Sequence, residues 1–360
     1  MNAHINLPIS ESSSLEKLLN FLKQTPAMQS KQAIAKGLGE QDRSNIHAIE
    51  DLYRLAGDDT AAVKYQDHYL LHACEGMIPS FVENAPYFAG WSAVMANVSD
   101  IAAMGGRAVS VVNSFWHTHA ELAQQLMAGM QDACNTYGVP LVGGHTHIDE
   151  SFQPALSVAI QGHAKNLLSV MHLKTDQRIV MALNMKGQFY PNTTYWKCFE
   201  NVSAKKLRAQ LEVLPKLAED GLAFAARDIS NAGILGSLLM LLEASACGAN
   251  ICLNHIPKPE NVEWQHWLQI FPSFGFLLTV EEAKVAEVQQ RFANEGICCV
   301  DIGSTTSDGK VWVIQDEDQQ CFWDFNQQLF TGLSYRNEIA RIHQQNKAQQ
   351  TKAQQTEAMH

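Results

Sequence analysis

The chain has no Cys-x-x-Cys spacing. Its eight cysteines stand at 74, 134, 198, 247, 252, 298, 299 and 321, which leaves them as free thiols packed as small apolar side chains and excludes the common zinc and dithiol motifs. It is also short of positive charge, with 26 Lys plus Arg against 37 Asp plus Glu and a formal net charge of −11. Without a basic stripe, nucleic acid and an anionic membrane surface are excluded as partners, and a small or cationic ligand is favoured. No run of apolar residues is long enough to span a bilayer. No Gly-x-x-x-x-Gly-Lys-Ser/Thr sequence occurs, so phosphate would have to be held by metal and backbone and not by a P-loop. The opening MNAHINLPISESSS has neither the basic start nor the apolar core of a signal peptide, and the expected location is the cytoplasm.

What is present is an ordinary globular composition, 46% hydrophobic over 360 residues, about two domains' worth. Residues 1–45 are polar with two short helical patterns, SSSLEKLLNFLKQ and SKQAIAKGLG, and read as an N-terminal arm outside the core. A first domain, 46–165, opens with period-two segments TAAVKY and HYLLHACE around a turn at Gln66-Asp67, a β-hairpin. A buried helix over 88–104, the strand RAVSVVNSFW, an amphipathic helix ending at Gly138, and the strands VPLVGGH and PALSVAIQGHA follow. A second domain, 166–335, has similar grammar: the strand RIVMALNM, helix over 203–224, and an apolar helix with Ser230 as N-cap and Gly248 as its stop. FGFLLTV, the helix EEAKVAEVQQRFANEG, CCVDIGST and GKVWVIQD then alternate strand, helix, strand, strand. Residues 336–360 are a Gln-rich polar tail, frayed or disordered. The fold class is α+β.

Carboxylates recur at element ends. Asp58 and Asp59 precede the first strand, Asp100 lies in the buried helix, and Asp228 precedes the apolar helix. Carboxylates distant in sequence and gathered in space hold Mg²⁺ against phosphates, because that hard cation takes oxygen ligands. Asp58 and Asp59 are adjacent, so on extended backbone they point opposite ways and one of them touches a given metal. The same residues also suit a solvated turn (Asp58-Asp59) and a helix cap (Asp228). Asp100 is harder to explain without function. The Gly105-Gly106 stop places it near a helix C-terminus, where the dipole disfavours a carboxylate by about 0.3–1 kcal/mol. A cation should therefore face it, either a bound metal or a buried Arg such as Arg107.

The pieces GDDTAAV at 57–63, ANVSDIAAMGG at 96–106, LVGGHT at 141–146 and DISNAGILG at 228–236 occur together in the order found in a family. The chain resembles the superfamily of ATP-binding enzymes that contains AIR (aminoimidazole ribonucleotide) synthetase, selenophosphate synthetase, thiamine-monophosphate kinase and the hydrogenase-maturation ATP-dependent dehydratase. The likeness covers roughly residues 50–310 and fits an AIR-synthase-like branch. It implies an N-terminal domain whose sheet pairs across a homodimer, a C-terminal α/β domain, and ATP in a cleft near the dimer interface. It also implies several Mg²⁺ ions on Asp58 or Asp59, Asp100 and Asp228, with Glu75 where two family members carry Asp. Asn97, Gly143, Gly144, His145, Thr146 and Asn231 fall at nucleotide-side positions. Lys31 or Lys36 of the arm would close over the phosphates, Lys31 being the candidate catalytic residue.

The departures matter as much. The first cysteine is Cys74, which argues against selenium chemistry. The C-terminal Ala-Met-His lacks the hydrogenase-maturation cysteine, and Gly-Gly-His stands where thiamine-monophosphate kinase has Gly-Gly-Asp. What survives is attack of a small-molecule substrate on the ATP γ-phosphate. Two rival readings are a nucleotide-binding module without turnover, and a zinc-dependent hydrolase on His145, His147 and Asp149, which resemble the start of a metallo-β-lactamase His-x-His-x-Asp box.

Overall fold

The computed structural model describes residues 15–39 and 43–357; residues 1–14, 40–42 and 358–360 of the expected arm and tail lie outside the described residues. None of its helices is long and apolar enough to cross a membrane.

The N-terminal segment is docked and not free. Helix α1 (Leu15–Lys23) buries Leu15, Leu18, Leu19 and Leu22, a stripe at helical spacing. It packs against the second domain on β15 (Asp318–Asp324) and α11 (Trp264–Trp267). Helix α2 (Pro26–Gln32) is capped by Thr25, whose hydroxyl accepts from Met28 N, and it buries Met28. The short helices α3 (Ile34–Leu38) and α4 (Ile49–Leu52) lead into the first domain. The expectation of an arm outside the core is corrected by the four leucines, which leave water where a surface accepts them.

The hairpin is β1 (Ala61–Tyr65) and β2 (His68–Met77), turning at Gln66 with φ 55°. After α5 (Pro79–Asn84), α6 (Pro86–Ala103) is the buried helix. It lies so close to α7 (Ala120–Tyr137) that only glycine fits the crossing: a Cβ on Gly90 would sit 2.1 Å from Leu126 O, and one on Gly129 1.9 Å from Tyr87 O. With β3 (Arg107–His117), β4 (Leu141–Ile148) and β5 (Ala155–Ala164) the sheet runs β1-β2-β5-β3-β4. β3 and β4 are parallel through the α7 crossover, and the other neighbours are antiparallel. The open edges are β1 and β4, and β3 lies between β5 and β4.

The second domain is built on β15-β14-β10-β13-β6-β12-β9. Its strands are β6 (Arg178–Leu183), β9 (Ala225–Asp228), β10 (Gly248–Cys252), β12 (Gly275–Val280), β13 (Cys298–Thr306), β14 (Lys310–Gln315) and β15. A small sheet of β7 (Gln188–Phe189), β8 (Tyr195–Lys197) and β11 (Phe271–Pro272) stands beside it. Helices α9 (Val213–Glu219), α10 (Gly233–Glu243) and α12 (Val285–Asn294) pack on the main sheet, and α8 (Ala204–Leu211) lies against α7 and α9. Ser230 does not cap α10: Ala232 holds the cap position, with no side-chain bond. Gly248 begins β10 and does not end the helix. The expected tail starts as α13 (Arg336–Glu357), whose Ile339 and Ile342 are buried, while the Arg341 guanidinium donates to Ile46 O at 2.7 Å.

Candidate active site

Three elements aim carboxylates at one point. The loop before β1 brings Asp59, the last turns of α6 bring Asp100, and the end of β9 brings Asp228. One carboxylate oxygen from each lies within 4.8 Å of the others, and this is the one such metal-type group among the described residues. Asp100 and Asp228 are buried. Asp59 is fixed by Arg227, whose guanidinium pairs with it at 3.1 Å, and by Asp228 N–H, which donates to it at 2.9 Å. Arg227 is itself held by Gly57 O at 2.7 Å.

The cluster carries more negative charge than its surroundings satisfy. Burial raises the pKa of Asp100 well above the carboxylate range, and repulsion from Asp228, Glu75 and Asp59 adds to it. Asp228 is raised in the same way, by burial and then by Asp59, with Arg227 opposing. Asp59 is raised by burial, with Arg227 and Lys31 opposing. Asp100 Oδ2 is buried without a hydrogen-bond partner. A buried acceptor left so costs roughly 1–3 kcal/mol, the state expected of a carboxylate shaped for a cation. Arg107 is not that cation, because it spends its guanidinium on Glu212 at 2.7 Å and Glu219 at 2.6 Å. The expected Asp100–Arg107 pair is therefore corrected.

The adjacent aspartates diverge. The carboxylate of Asp58 turns back to the 169–170 turn, accepting from Ser169 Oγ and from Val170 N at 2.9 Å, and burial pushes its pKa up to about 7. Glu75 on β2 stands beside the three-aspartate group and outside it, with burial raising its pKa, Lys31 lowering it and Asp59 raising it.

Next to the carboxylates lies a cavity of about 300 Å³ lined by Lys31, Glu75 and Asn231, then by Phe81, Phe88, Tyr195, Phe199 and Phe271. Lys31 on α2 thus reaches the site, whereas Lys36 is exposed and does not line it. Asn97 is fully buried and donates to Ala93 O at 2.8 Å and Val158 O at 3.0 Å, tying α6 to β5. Its Oδ1 is buried without a hydrogen-bond partner. Gly143, Gly144, His145 and Thr146 lie exposed on edge strand β4. Two strands separate β4 from the Glu75 strand, a span of about 14 Å, so within one chain they do not join the carboxylates. His145 and His147 have ring centroids 4.5 Å apart, but Asp149 turns away to accept from Ser151 N at 2.9 Å and Ser151 Oγ at 2.6 Å. The expected zinc triad is not assembled. Sequence reasoning missed Arg227, although an Arg beside an Asp at the mouth of an apolar helix was a readable signal. It also missed the aromatic cavity wall, whose members share no spacing.

Residues 57–164 match the family described as AIR synthase related protein, N-terminal domain, and residues 170–315 match AIR synthase related protein, C-terminal domain. The chain belongs to the AIR synthase related family. An uncharacterized protein of Synechocystis sp. is 38% identical over 321 residues, covering 89% of this chain and 99% of its own length. Among solved structures, T. maritima PurL complexed with ADP superposes with a TM-score of 0.67 at 18% identity, over 89% of this chain and 55% of that one. AaThiL complexed with AMPPCP and TMP superposes with a TM-score of 0.57 at 19% identity, over 87% and 99%. The chain spans about half the length of the PurL chain, and these likenesses establish the two-domain fold.

Proposed function

We propose that the protein is a Mg²⁺-dependent ATP-binding enzyme that acts through the ATP γ-phosphate on a small-molecule substrate. The observation that carries this reading is the convergence of Asp59, Asp100 and Asp228 beside a substrate-sized cavity. The donor set fits the ion, being all hard oxygen, with one buried oxygen unpartnered and mutual repulsion raising the carboxylate pKa values. Asp59, Asp100 and Asp228 would hold Mg²⁺, which when bound neutralises phosphate charge. Arg227 keeps Asp59 in place. Lys31 brings a positive charge to the cavity wall from α2, and Asn231, three residues beyond Asp228 in the loop before α10, also lines the cavity. The structural neighbours named with ADP and with AMPPCP support a nucleotide as ligand. The cavity beside the carboxylates supports an enzyme, with room for a substrate, over a module that only holds nucleotide.

We also propose a homodimer through the first domain. Its open β1 and β4 edges expose Val63, Tyr65, Val142 and Ile148, and a second copy is the route by which Gly143, Gly144, His145 and Thr146 would reach a nucleotide. The reading places the protein in the cytoplasm, where ATP and Mg²⁺ are supplied. The test is titration calorimetry of ATP with Mg²⁺ or with EDTA, followed by single-turnover phosphate release. Affinity that is the same in EDTA contradicts the metal reading, and binding without any phosphate release over a screen of small metabolites contradicts the enzyme reading.

A further inference from the structure

The cavity has two unlike ends. Lys31, Glu75 and Asn231 line only the inner chamber, on the carboxylate side. Phe88, Lys197 and Phe199 line both this chamber and an outer trough, so they stand where the two meet. The rings there are already organised as stacking surfaces. Phe88 lies 4.5 Å from Tyr190 between centroids, and Phe199 stacks on Trp91 at 4.7 Å with planes 26° apart. Lys197 Nζ is held over the Phe88 and Tyr190 rings at 5.8 and 5.4 Å. Its side chain is 13% exposed, and its one carboxylate partner is Glu200, which is 37% exposed.

A largely buried ammonium set among aromatic faces and paired with a single outward-facing carboxylate is suited to exchange that partner for a ligand anion. The aromatic walls, offering faces and few polar atoms, select a flat ring to go with it. From these features we infer that the chamber takes a flat aromatic or heteroaromatic acid as the substrate, with its anionic group on Lys197 and its other end directed to Glu75 and the carboxylate cluster. This rests on the nucleotide reading above and deepens it, because the nucleotide is assigned to the carboxylate side and the ring of the second ligand to the aromatic side. Stacking surfaces alone would also suit adenine. The separation of the basic, aromatic end from the acidic end favours a second molecule.

The test uses 1-naphthyl phosphate as the probe, titrated calorimetrically into full-length protein with and without saturating Mg²⁺-ATP. Wild type is expected to bind it in both conditions. Lys197→Met and Phe88→Leu are each expected to weaken it about tenfold or more, which corresponds to ~1.4 kcal/mol, and to leave Mg²⁺-ATP affinity within about twofold. Lys197→Gln, which keeps a polar end without the charge, controls for folding, with all variants checked by circular dichroism. Absence of binding to wild type, unchanged affinity in the variants, or displacement of the probe by Mg²⁺-ATP each overturns the inference. Failure of Mg²⁺-ATP itself to bind is a separate result and counts against the proposed function instead.

Discussion

At Asp100 the helix dipole, burial and three neighbouring carboxylates all act against the charged form. A group whose folded pKa is raised contributes stability that is present below the unfolded pKa and lost as pH rises through the folded one. Asp58 sets the window, from the ordinary value of 3.8 to about 7 in the fold. In EDTA the melting temperature should therefore fall as pH rises across that window; a flat profile contradicts this. The neighbouring aspartates separate by role. Asp59→Asn should lose most Mg²⁺-dependent nucleotide affinity in calorimetry. Asp58→Ala should instead cost about 1–3 kcal/mol of stability through the two bonds it gives up at Ser169 and Val170, and retain the affinity. Equal loss of affinity in both would contradict the split.

Elements that bury a continuous apolar surface were legible in the sequence: α6, α10 and the β1-β2 hairpin carry patterns that leave one solution. Strand β15 was not, because DQQCFWD opens on polar residues and becomes apolar only at Phe322 and Trp323, which face the core. The ends of α10 were misread because Ser230 and Gly248 have cap chemistry, but the helix starts only at Gly233, with Ala232 at its cap position, and strand pairing claims Gly248. The carboxylates were legible because each sits in a short motif. The aromatic chamber was not, since its walls come from positions 81 to 271 and meet only when β8 and β11 pair beside α6. Two tests belong at this scale. Gly129→Ala forces α6 and α7 apart and should cost about 1–3 kcal/mol by denaturant melting; no loss would mean the crossing is looser than drawn. Lys31→Ala should lower nucleotide affinity or turnover with little change in melting temperature, and unchanged values of both would remove α2 from the site.

The whole molecule places its carboxylates where the two domains meet, Asp59 and Asp100 coming from the first and Asp228 from the second. Arg107 bridges the same two domains through Glu212 and Glu219, so domain contact is maintained by these ion pairs as well as by packing. Light scattering should give a dimer, and a monomer at micromolar concentration would contradict the β1 and β4 edge pairing. The central claim is that Asp100 belongs to a metal-bridged nucleotide site, and one variant tests it most directly. Asp100→Asn is isosteric and removes one of three repelling charges. Its melting temperature in EDTA should equal or exceed that of wild type while its Mg²⁺-ATP affinity, measured on the same sample by calorimetry, falls at least about tenfold. A large drop in melting temperature with wild-type affinity would show that Asp100 holds the fold together and that the nucleotide lies elsewhere.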